Sequence, residues 1–257
     1  MPTFLFDNII IGPVISRRLG VSLGVNLLPA SNKYCNFDCI YCECGTNPEN
    51  QPKKMPVRAD VYAALEDKLS VMQQSGQLPD AITFAGNGEP TLHPEFANIV
   101  DDTILLRNRY APQSKISVLS NATMLHREAI VEALEKVDLP ILKLDSAVDA
   151  TIALLNQPAK EFTAAKLIEQ LQAFGNKCII QTMFLKGEYK GKSVDNTTAA
   201  ELDAWENAIV AIHPQKVTIY SLDRDTPVET LHKVSGETLK NIAQRIKNHS
   251  ILIQVSG

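Results

Sequence analysis

From Val21 onward, short β-rich runs alternate with stretches whose apolar residues recur every three or four positions, and this alternation leaves few folds open. Val21–Leu28 reads as the first strand, closed by Pro29. Val61, Leu65, Leu69 and Met72 mark a helix over 60–75, with Asp60 near its start and Gly76 just past its end. Further strands are expected at Ala81–Ala85, Lys115–Leu119, Pro140–Leu144, Cys178–Leu185 and Lys216–Ser221. Between them the pattern predicts a helix from about His93 to Arg107, with Pro94 in its first turn, and a helix carrying Ile130, Leu134 and Val137. Two more helices are expected, one over Thr163–Phe174 closed by Gly175 and one carrying Leu202, Trp205, Ile209 and Ile212. Thr198 and Glu201 form a capping box at the start of the latter.

A last helix carries Leu239, Ile242 and Ile246, and a short strand spans Ile251–Val255. Lys186–Asn196 reads as a Gly-bearing loop, and residues 1–20 as turns around a short extended piece. Strand–helix alternation implies parallel pairing through right-handed crossovers, in a barrel or in a doubly wound sheet. No linker-like stretch interrupts residues 1–257, so one domain is expected, with a core over about 21–222 and a short C-terminal helix and strand extension.

Four of the five cysteines lie between Tyr34 and Gly45, directly after the first expected strand, where α/β folds place their chemistry. Cys35, Cys39 and Cys42 have the spacing Cys-x3-Cys-x2-Cys. Thiolates at this density select zinc or iron–sulfur sites. A structural zinc wants four protein ligands, and beyond these three stand only the crowded Cys44, Cys178 and five scattered His. A [4Fe–4S] cube with three protein thiolates and one open iron suits the count better. A non-catalytic zinc or iron–sulfur protein is the alternative.

The spacing, with Tyr41 just before the last cysteine, resembles the cluster loop of the radical S-adenosylmethionine (SAM) superfamily. That resemblance implies a [4Fe–4S] cluster on Cys35, Cys39 and Cys42, its open iron chelated by the amino and carboxylate groups of SAM. It further implies reductive cleavage of SAM to a 5′-deoxyadenosyl radical that abstracts hydrogen from a substrate, with a reductant such as flavodoxin or ferredoxin as partner. The fold it implies is α/β, an open partial (β/α)6 barrel, and this decides between the two architectures left open above.

Gly86-Asn87-Gly88-Glu89-Pro90 resembles the family's Gly-Gly-Glu-Pro motif, with Asn87 separating the glycines. The likeness assigns Gly86, Gly88 and Glu89 to the SAM amino group, although the segment also reads as a strand-to-helix turn. Ser120 and Asn121 stand where the family often turns polar residues toward SAM's ribose and carboxylate, and they equally suit a turn. By the same analogy Tyr41 lies against the adenine, while Gln181 and Thr182 face the adenosine or the substrate. Lys143 and Asp145 alternate with Leu142 and Leu144 on a buried strand, and an inward charge pair is costly unless paired or touching ligand. They are the candidate catalytic pair. Arg17 and Arg18 form a candidate anion clamp or a solvated turn. Asp223, Arg224 and Asp225 are substrate contacts at the barrel's open end or a surface charge cluster.

Cys178 reads as a small buried hydrophobe, and with Cys44 it leaves too few thiolates for a second cluster. Gly-Pro-Val-x-Ser-Arg-Arg-Leu-Gly, Gly-Asn-Gly-Glu-Pro-Thr-Leu-His, Lys-Leu-Asp and Asp-Arg-Asp-Thr-Pro extend the resemblance over nearly the whole chain. They are similar to a stand-alone, single-cluster group distantly related to archaeal wyosine synthases.

No apolar run reaches the roughly 18 residues of a membrane span, and the N-terminus lacks a basic signal-peptide region. Five cysteines, an odd number, do not suit a disulfide framework, so a reducing cytoplasm is expected. The net charge of −4 comes without a basic block. Six core strands should leave a lateral opening, with only the final helix and strand to cover it. The substrate expected there is RNA, a peptide or a metabolite, modified RNA being the favoured macromolecule through the wyosine-synthase likeness.

Overall fold

The computed structural model describes residues 4–16, 18–49, 54–224 and 226–256. Its main sheet is built from β1 (Ile10–Ser16), β2 (Gly20–Val25), β3 (Ala81–Phe84), β4 (Lys115–Ser120), β5 (Leu139–Lys143) and β6 (Ile179–Met183). A second, small sheet uses β7 (Leu185–Tyr189) and β8 (Lys192–Asp195); β9 (Lys216–Tyr220) returns to the main sheet, β10 (Leu231–Lys233) joins the small one, and β11 (Ile253–Ser256) completes the main one. The helices are α1 (Arg58–Ser75), α2 (Phe96–Tyr110), α3 (Glu128–Lys136), α4 (Asp149–Leu155), α5 (Ala164–Phe174), α6 (Ala199–Ile212) and α7 (Gly236–Lys247).

The eight main strands lie in the order β1-β2-β3-β4-β5-β6-β9-β11. From β2 to β11 every neighbour pairs parallel, and β1 is antiparallel to β2. The sheet curls without closing, which makes a half-barrel. All seven expected parallel strands are present, and the C-terminal strand pairs with β9 as part of the same sheet.

Alternation along the strands separates two faces. Leu23, Val25, Ile82, Phe84, Val118, Leu142, Ile180, Val217 and Ile219 face the helices and form the main core with Leu65, Leu69, Ile99, Leu134, Leu171, Trp205 and Ile242. Lys143, Gln181, Thr218 and Tyr220 lie on the other face, inside the curl.

Several expectations need correction. The extended piece before Val21 is β1, paired from Ile10↔Val25 to Ser16↔Gly20 with a register shift between Ile11 and Val14. The first parallel strand stops at Val25, not Leu28, because the Asn26 side chain accepts from Leu28 N and donates to Leu28 O in place of a ladder. The helix expected from His93 begins at Phe96, after a 3₁₀ turn over Pro90–Leu92, so Pro94 precedes the helix. Helix α4 was not anticipated; seven residues carry too short a periodic signal. The capping box is half made: Thr198 Oγ1 accepts from Glu201 N at 3.4 Å, but the Glu201 carboxylate accepts from Ser146 Oγ (2.6 Å) and Thr151 Oγ1 (2.5 Å) instead of returning to the cap.

The largest correction concerns Lys186–Asn196. These residues form most of a β-hairpin, β7–β8, to which β10 adds a third antiparallel strand. The expected Cys178–Leu185 strand is therefore split, ending in the barrel at Met183 and starting afresh in the small sheet at Leu185. Asn196 fixes the break: its Oδ1 accepts from Leu185 N, and its Nδ2 donates to Met183 O and Asp145 O. Leu185, Val194 and Leu231 pack with Ile40, Tyr41, Leu155, Met183 and Leu222 in a second apolar cluster. The flank of the opening thus carries a small sheet, beyond the final helix and strand expected to cover it.

Candidate radical SAM site

Every parallel strand ends on one side of the half-barrel, and the cysteine loop crosses that side. Its path is fixed by backbone bonds at both ends. Tyr34 pairs with Gly88 beyond β3, through Tyr34 N to Asn87 O (2.8 Å) and Glu89 N to Tyr34 O (3.1 Å). Asp38 N and Ile40 N donate to Asn156 O and Leu155 O at the end of α4, and Ala159 N to Asn36 O.

The Lys33 side chain, 2% exposed, closes the loop on itself by donating to Asp38 Oδ1 and Gly45 O, both at 2.8 Å. Asn47 Oδ1 accepts from Cys35 N at 3.0 Å while Asn47 N donates to Asp38 Oδ1. Neither Lys33 nor Asn47 was a candidate from sequence. A lysine before the cysteines and an asparagine after them carry no periodic signal, and only the folded loop brings them together.

All five cysteines are free thiols. Cys35 Sγ receives Phe37 N at 3.4 Å and Asn121 Nδ2 at 3.6 Å, and Cys39 Sγ receives Asn156 Nδ2 at 3.3 Å. Burial pushes the Cys35 and Cys39 thiols up. Cys44 hydrogen-bonds the Cys42 sulfur and, with Lys33 helping and burial opposing, draws the Cys42 thiol down to about 6. The Cys44 thiol is raised in turn by the same bond, and its Sγ lies 3.6 Å from Gly86 O. Cys178 is fully buried in the main core, away from this loop.

Among the described residues, no three His, Cys, Asp or Glu side chains are gathered closely enough to hold one metal ion. Ligands of one tetrahedral zinc stand only about 3.8 Å apart, given Zn–S bonds near 2.3 Å. A cubane cluster asks for something else, since its three protein thiolates bind three different irons. Three thiols on one short loop, two of them receiving N–H donors, fit that requirement in number and chemistry.

Glu89, 2% exposed, closes the next layer. Its Oε1 accepts from Thr91 N (3.1 Å), Thr91 Oγ1 (2.5 Å) and Ser120 Oγ (2.9 Å), and its Oε2 from Asn121 N (2.7 Å). Burial raises its pKa despite these four bonds. Glu89, Ser120 and Asn121 thus form one network joining the ends of β3 and β4. Asn121 extends it to the loop through Nδ2, which donates to Asn36 Oδ1 at 2.7 Å.

Gly88 sits at φ +143, and a Cβ there would lie 2.0 Å from Tyr34 O, so only glycine permits the bridge. Gly86 packs against the Asn26 side chain, 2.3 Å from where its Cβ would be. Asn87, which separates the two, is fully buried and bonded to the chain before β1 and ahead of the loop. Its Oδ1 accepts from Phe6 N (2.8 Å), and its Nδ2 donates to Phe6 O (2.9 Å) and Pro29 O (2.8 Å).

Asp145 lies just past β5 with its side chain fully buried. Its Oδ2 accepts from Tyr41 Oη (2.5 Å) and Asn156 Nδ2 (2.8 Å), and its Oδ1 from Met183 N (2.9 Å). Lys143 Nζ is 3.3 Å from Oδ1 and donates to Tyr220 Oη at 3.1 Å. Nζ also lies over two rings, 5.1 Å from the Tyr41 centroid and 5.5 Å from that of Tyr220. Burial opposes the charge on Lys143, but Asp145, Tyr220 and Cys39 outweigh it, so its pKa is raised and the amine stays an ammonium. Burial and the same carboxylate push the Tyr41 phenol up. The charge pair expected to face inward is therefore present, its carboxylate saturated by neighbours and its ammonium at the interior surface.

Gln181 belongs to this interior, with Tyr220 Oη donating to its Oε1 at 3.4 Å. Thr182 does not: it faces the helices, donating to Leu144 O (2.7 Å) and accepting from Trp205 Nε1 (3.0 Å). Successive strand residues point to opposite faces, so the two could not both face one ligand. Arg18 reaches the same interior, its guanidinium carbon 4.4 Å from the Tyr220 centroid. Arg224 pairs with Glu43 of the cysteine loop at 2.6 Å, and Asp223 with Lys233 at 3.5 Å, beside a cavity of about 500 Å³ lined also by Leu222, Val228 and Leu231. Arg17 and Asp225 lie outside the described residues.

The model of the radical SAM superfamily matches residues 31–193. A UPF0026 protein of Methanocaldococcus jannaschii is 30% identical over 197 residues, which are 74% of this chain and 58% of that protein, so the chain spans less than two thirds of this relative's length. Among solved structures, a radical SAM methyltransferase from Sphaerobacter thermophilus superposes with a TM-score of 0.67 at 14% identity, over 91% of this chain and 65% of the other. SuiB of Streptococcus suis, bound to S-adenosylmethionine, gives 0.63 at 15% identity, over 88% and 49%. TYW1, a wyosine synthase, with a lysine–pyruvate adduct bound, gives 0.58 at 15% identity, over 88% and 73%. At these identities the structures speak for the half-barrel fold. The chain belongs to the radical SAM superfamily, whose cofactors are a [4Fe–4S] cluster and S-adenosylmethionine.

Proposed function

We propose that this chain, as a single domain, is a radical SAM enzyme that holds one [4Fe–4S] cluster on Cys35, Cys39 and Cys42. When bound, the cluster and SAM supply a 5′-deoxyadenosyl radical, which abstracts a hydrogen atom from the substrate. One observation carries this reading: three thiols on a single loop, fastened across the ends of the parallel strands, with the side-chain amides of Asn121 and Asn156, just past β4 and α4, turned toward two of the sulfurs. Asn121 and Asn156 orient Cys35 and Cys39, and Lys33 keeps the loop closed and lends positive charge near thiolates. Gly86, Gly88 and the Glu89–Ser120–Asn121 network form the edge against which the methionine part of SAM is held. Tyr41 and Gln181 flank the adenosine. Lys143 and Asp145 keep a fixed ammonium and its counter-charge beside that edge, and position Tyr41. A flavodoxin or ferredoxin supplies the electron, and a cytoplasmic setting suits the free thiols.

Anaerobic reconstitution tests this reading. Wild type and Cys178→Ala should take up about four irons per chain, and Cys35→Ala, Cys39→Ala and Cys42→Ala should not. With dithionite, the reconstituted wild type should release 5′-deoxyadenosine from SAM. A single tight zinc with no iron uptake would overturn the proposal.

A further inference from the structure

We infer that the substrate carries an oxyacid group, a carboxylate or a phosphate, and that Arg18 anchors it inside the half-barrel. The inference rests on the radical SAM reading for where substrate binds. Arg18 lies in the turn between β1 and β2, half-buried, with its guanidinium over the ring of Tyr220, the last residue of β9. Lys143 donates to the hydroxyl of the same tyrosine, and Lys143 in turn lies over Tyr41, which stands in the sequence between Cys39 and Cys42. A continuous column therefore runs from the cysteine loop through Tyr41, Lys143 and Tyr220 to Arg18.

The two cations in this column differ. Lys143 has its counter-charge in Asp145. Arg18 has none: among the described residues no carboxylate pairs with it, and its recorded partners are the Tyr220 ring and, through its backbone N–H, Ser16 Oγ. A partly desolvated guanidinium without a counter-ion favours an anion brought by ligand. Stacking on a ring fixes its plane and leaves its N–H fork free for two oxygens of a carboxylate or phosphate. The inner face of the half-barrel is polar: Gln181 accepts from Tyr220, Ser22 and Thr83 share a hydrogen bond of 2.9 Å, and Ser117, paired with Thr83 in register, has a buried hydroxyl without a partner among the described residues.

Arg18 and Tyr220 also lie outside residues 31–193, the part matched to the superfamily, whereas Tyr41 and Lys143 lie within it. An anchor built from the unmatched parts belongs to substrate choice rather than to the shared cofactors.

The test uses reconstituted protein at low ionic strength and calorimetric titration with succinate and, separately, inorganic pyrophosphate, each with and without saturating SAM. One of the two probes should bind wild type whether or not SAM is present, and which one binds names the acid. Arg18→Gln should weaken that binding at least about tenfold, the weight of a charged hydrogen bond. Arg18→Lys should fall between, and Arg109→Gln, on the outer surface, should match wild type. Binding of neither probe, equal binding by Arg18→Gln, or displacement of the probe by SAM would overturn the inference. Uncoupled SAM cleavage by wild type is scored separately. Its absence sinks the enzymatic reading, while failed anion binding with SAM cleavage intact sinks only the Arg18 assignment.

Discussion

Restoring the family motif should damage this chain. In Asn87→Gly the segment would read Gly-Gly-Gly-Glu-Pro, nearer to the superfamily pattern, yet the structure gives the Asn87 side chain three hydrogen bonds and no exposure. Two tie it to the backbone of Phe6, and the third reaches Pro29 O, just ahead of the cysteine loop. Each such bond is worth about 1 kcal/mol net, and more where the partner is left buried and unpaired. Pro29 O has little access to solvent, whereas Phe6 is half-buried and water can reach it once the side chain is gone. Glycine adds up to about 1 kcal/mol of chain entropy. The expected loss is therefore about 3–4 kcal/mol. With an m-value near 3 kcal/mol per molar urea, the midpoint should move down by about 1 M. Urea unfolding followed by tryptophan fluorescence reads it, because Trp205 is the sole tryptophan and fully buried. Limited proteolysis should cut the segment before β1 sooner in the variant. A midpoint within about 0.2 M of wild type, with unchanged proteolysis, would show that Asn87 does not fasten this segment.

Gly88→Ala places a Cβ 2.0 Å from Tyr34 O, so the loop's first attachment cannot form, and iron uptake on reconstitution should fall well below wild type even where the protein stays folded by circular dichroism. Asp145→Asn leaves the Lys143 ammonium without its buried partner and should cost about 3 kcal/mol in urea unfolding; a loss under about 1 kcal/mol would mean that the pair is not held as described. Glu206 joins α6 to α7 through Arg245 (2.5 Å) and His249 (2.7 Å). Burial works against its charge, yet those partners hold its carboxyl below the ordinary 4.5. A depressed folded pKa stabilises above the unfolded value and is lost as pH falls through the folded one. Glu206→Gln should therefore be less stable than wild type at pH 7, with the gap closing below about pH 4.5; a gap independent of pH would refute the assignment.

The parallel strands were legible because each is a run of β-branched and apolar residues whose outer face packs on a helix, and Ile82, Val118, Ile180 and Val217 carry that signal without help from distant contacts. The cysteine loop stood out by its spacing, which left zinc and iron–sulfur open; the family resemblance chose between them. What sequence hid were features made by single polar side chains reaching across the fold. Asn196 splits one apolar run into a barrel strand and a hairpin strand, and nothing local distinguishes it from a loop asparagine. In β7 and β8 the alternation of Leu185 and Val194 is diluted by Lys186, Glu188 and Lys192, with Lys190 in the turn between them, so the hairpin reads as a charged loop. Glu89 carried the motif, but its partners at Thr91, Ser120 and Asn121 emerge only when β3 and β4 pair. Thr182 was assigned to the wrong face because a polar residue in an apolar strand suggests ligand, while the Trp205 indole supplied an internal partner instead.

The small sheet bears on which substrates the opening admits. It packs on Ile40 and Tyr41 through Leu185, Val194 and Leu231, so it walls one flank of the cysteine loop. Three cations around that wall are matched, Lys186 with Asp195, Lys233 with Asp223, and Arg224 with Glu43, while the exposed Lys190 and Lys192 at the hairpin tip have no carboxylate partner among the described residues. Binding a nucleic acid through its backbone needs several lysines or arginines free to neutralise phosphates, and each phosphate neutralised steepens the dependence of affinity on salt. Here, among the described residues, the interior offers one uncompensated arginine, and the chain carries a net charge of −4. That balance favours a ligand with one localised anionic group over a polyanion lying along the surface. It also separates two roles within one half-barrel. Residues 31–193, matched to the superfamily, hold the cysteine loop, the Glu89 network and the Lys143–Asp145 pair, to which the proposed function gives the cluster and SAM. The β1–β2 turn, the end of β9 and β10 lie outside that span and shape the space beside it, so substitutions there should alter substrate choice while leaving iron uptake intact.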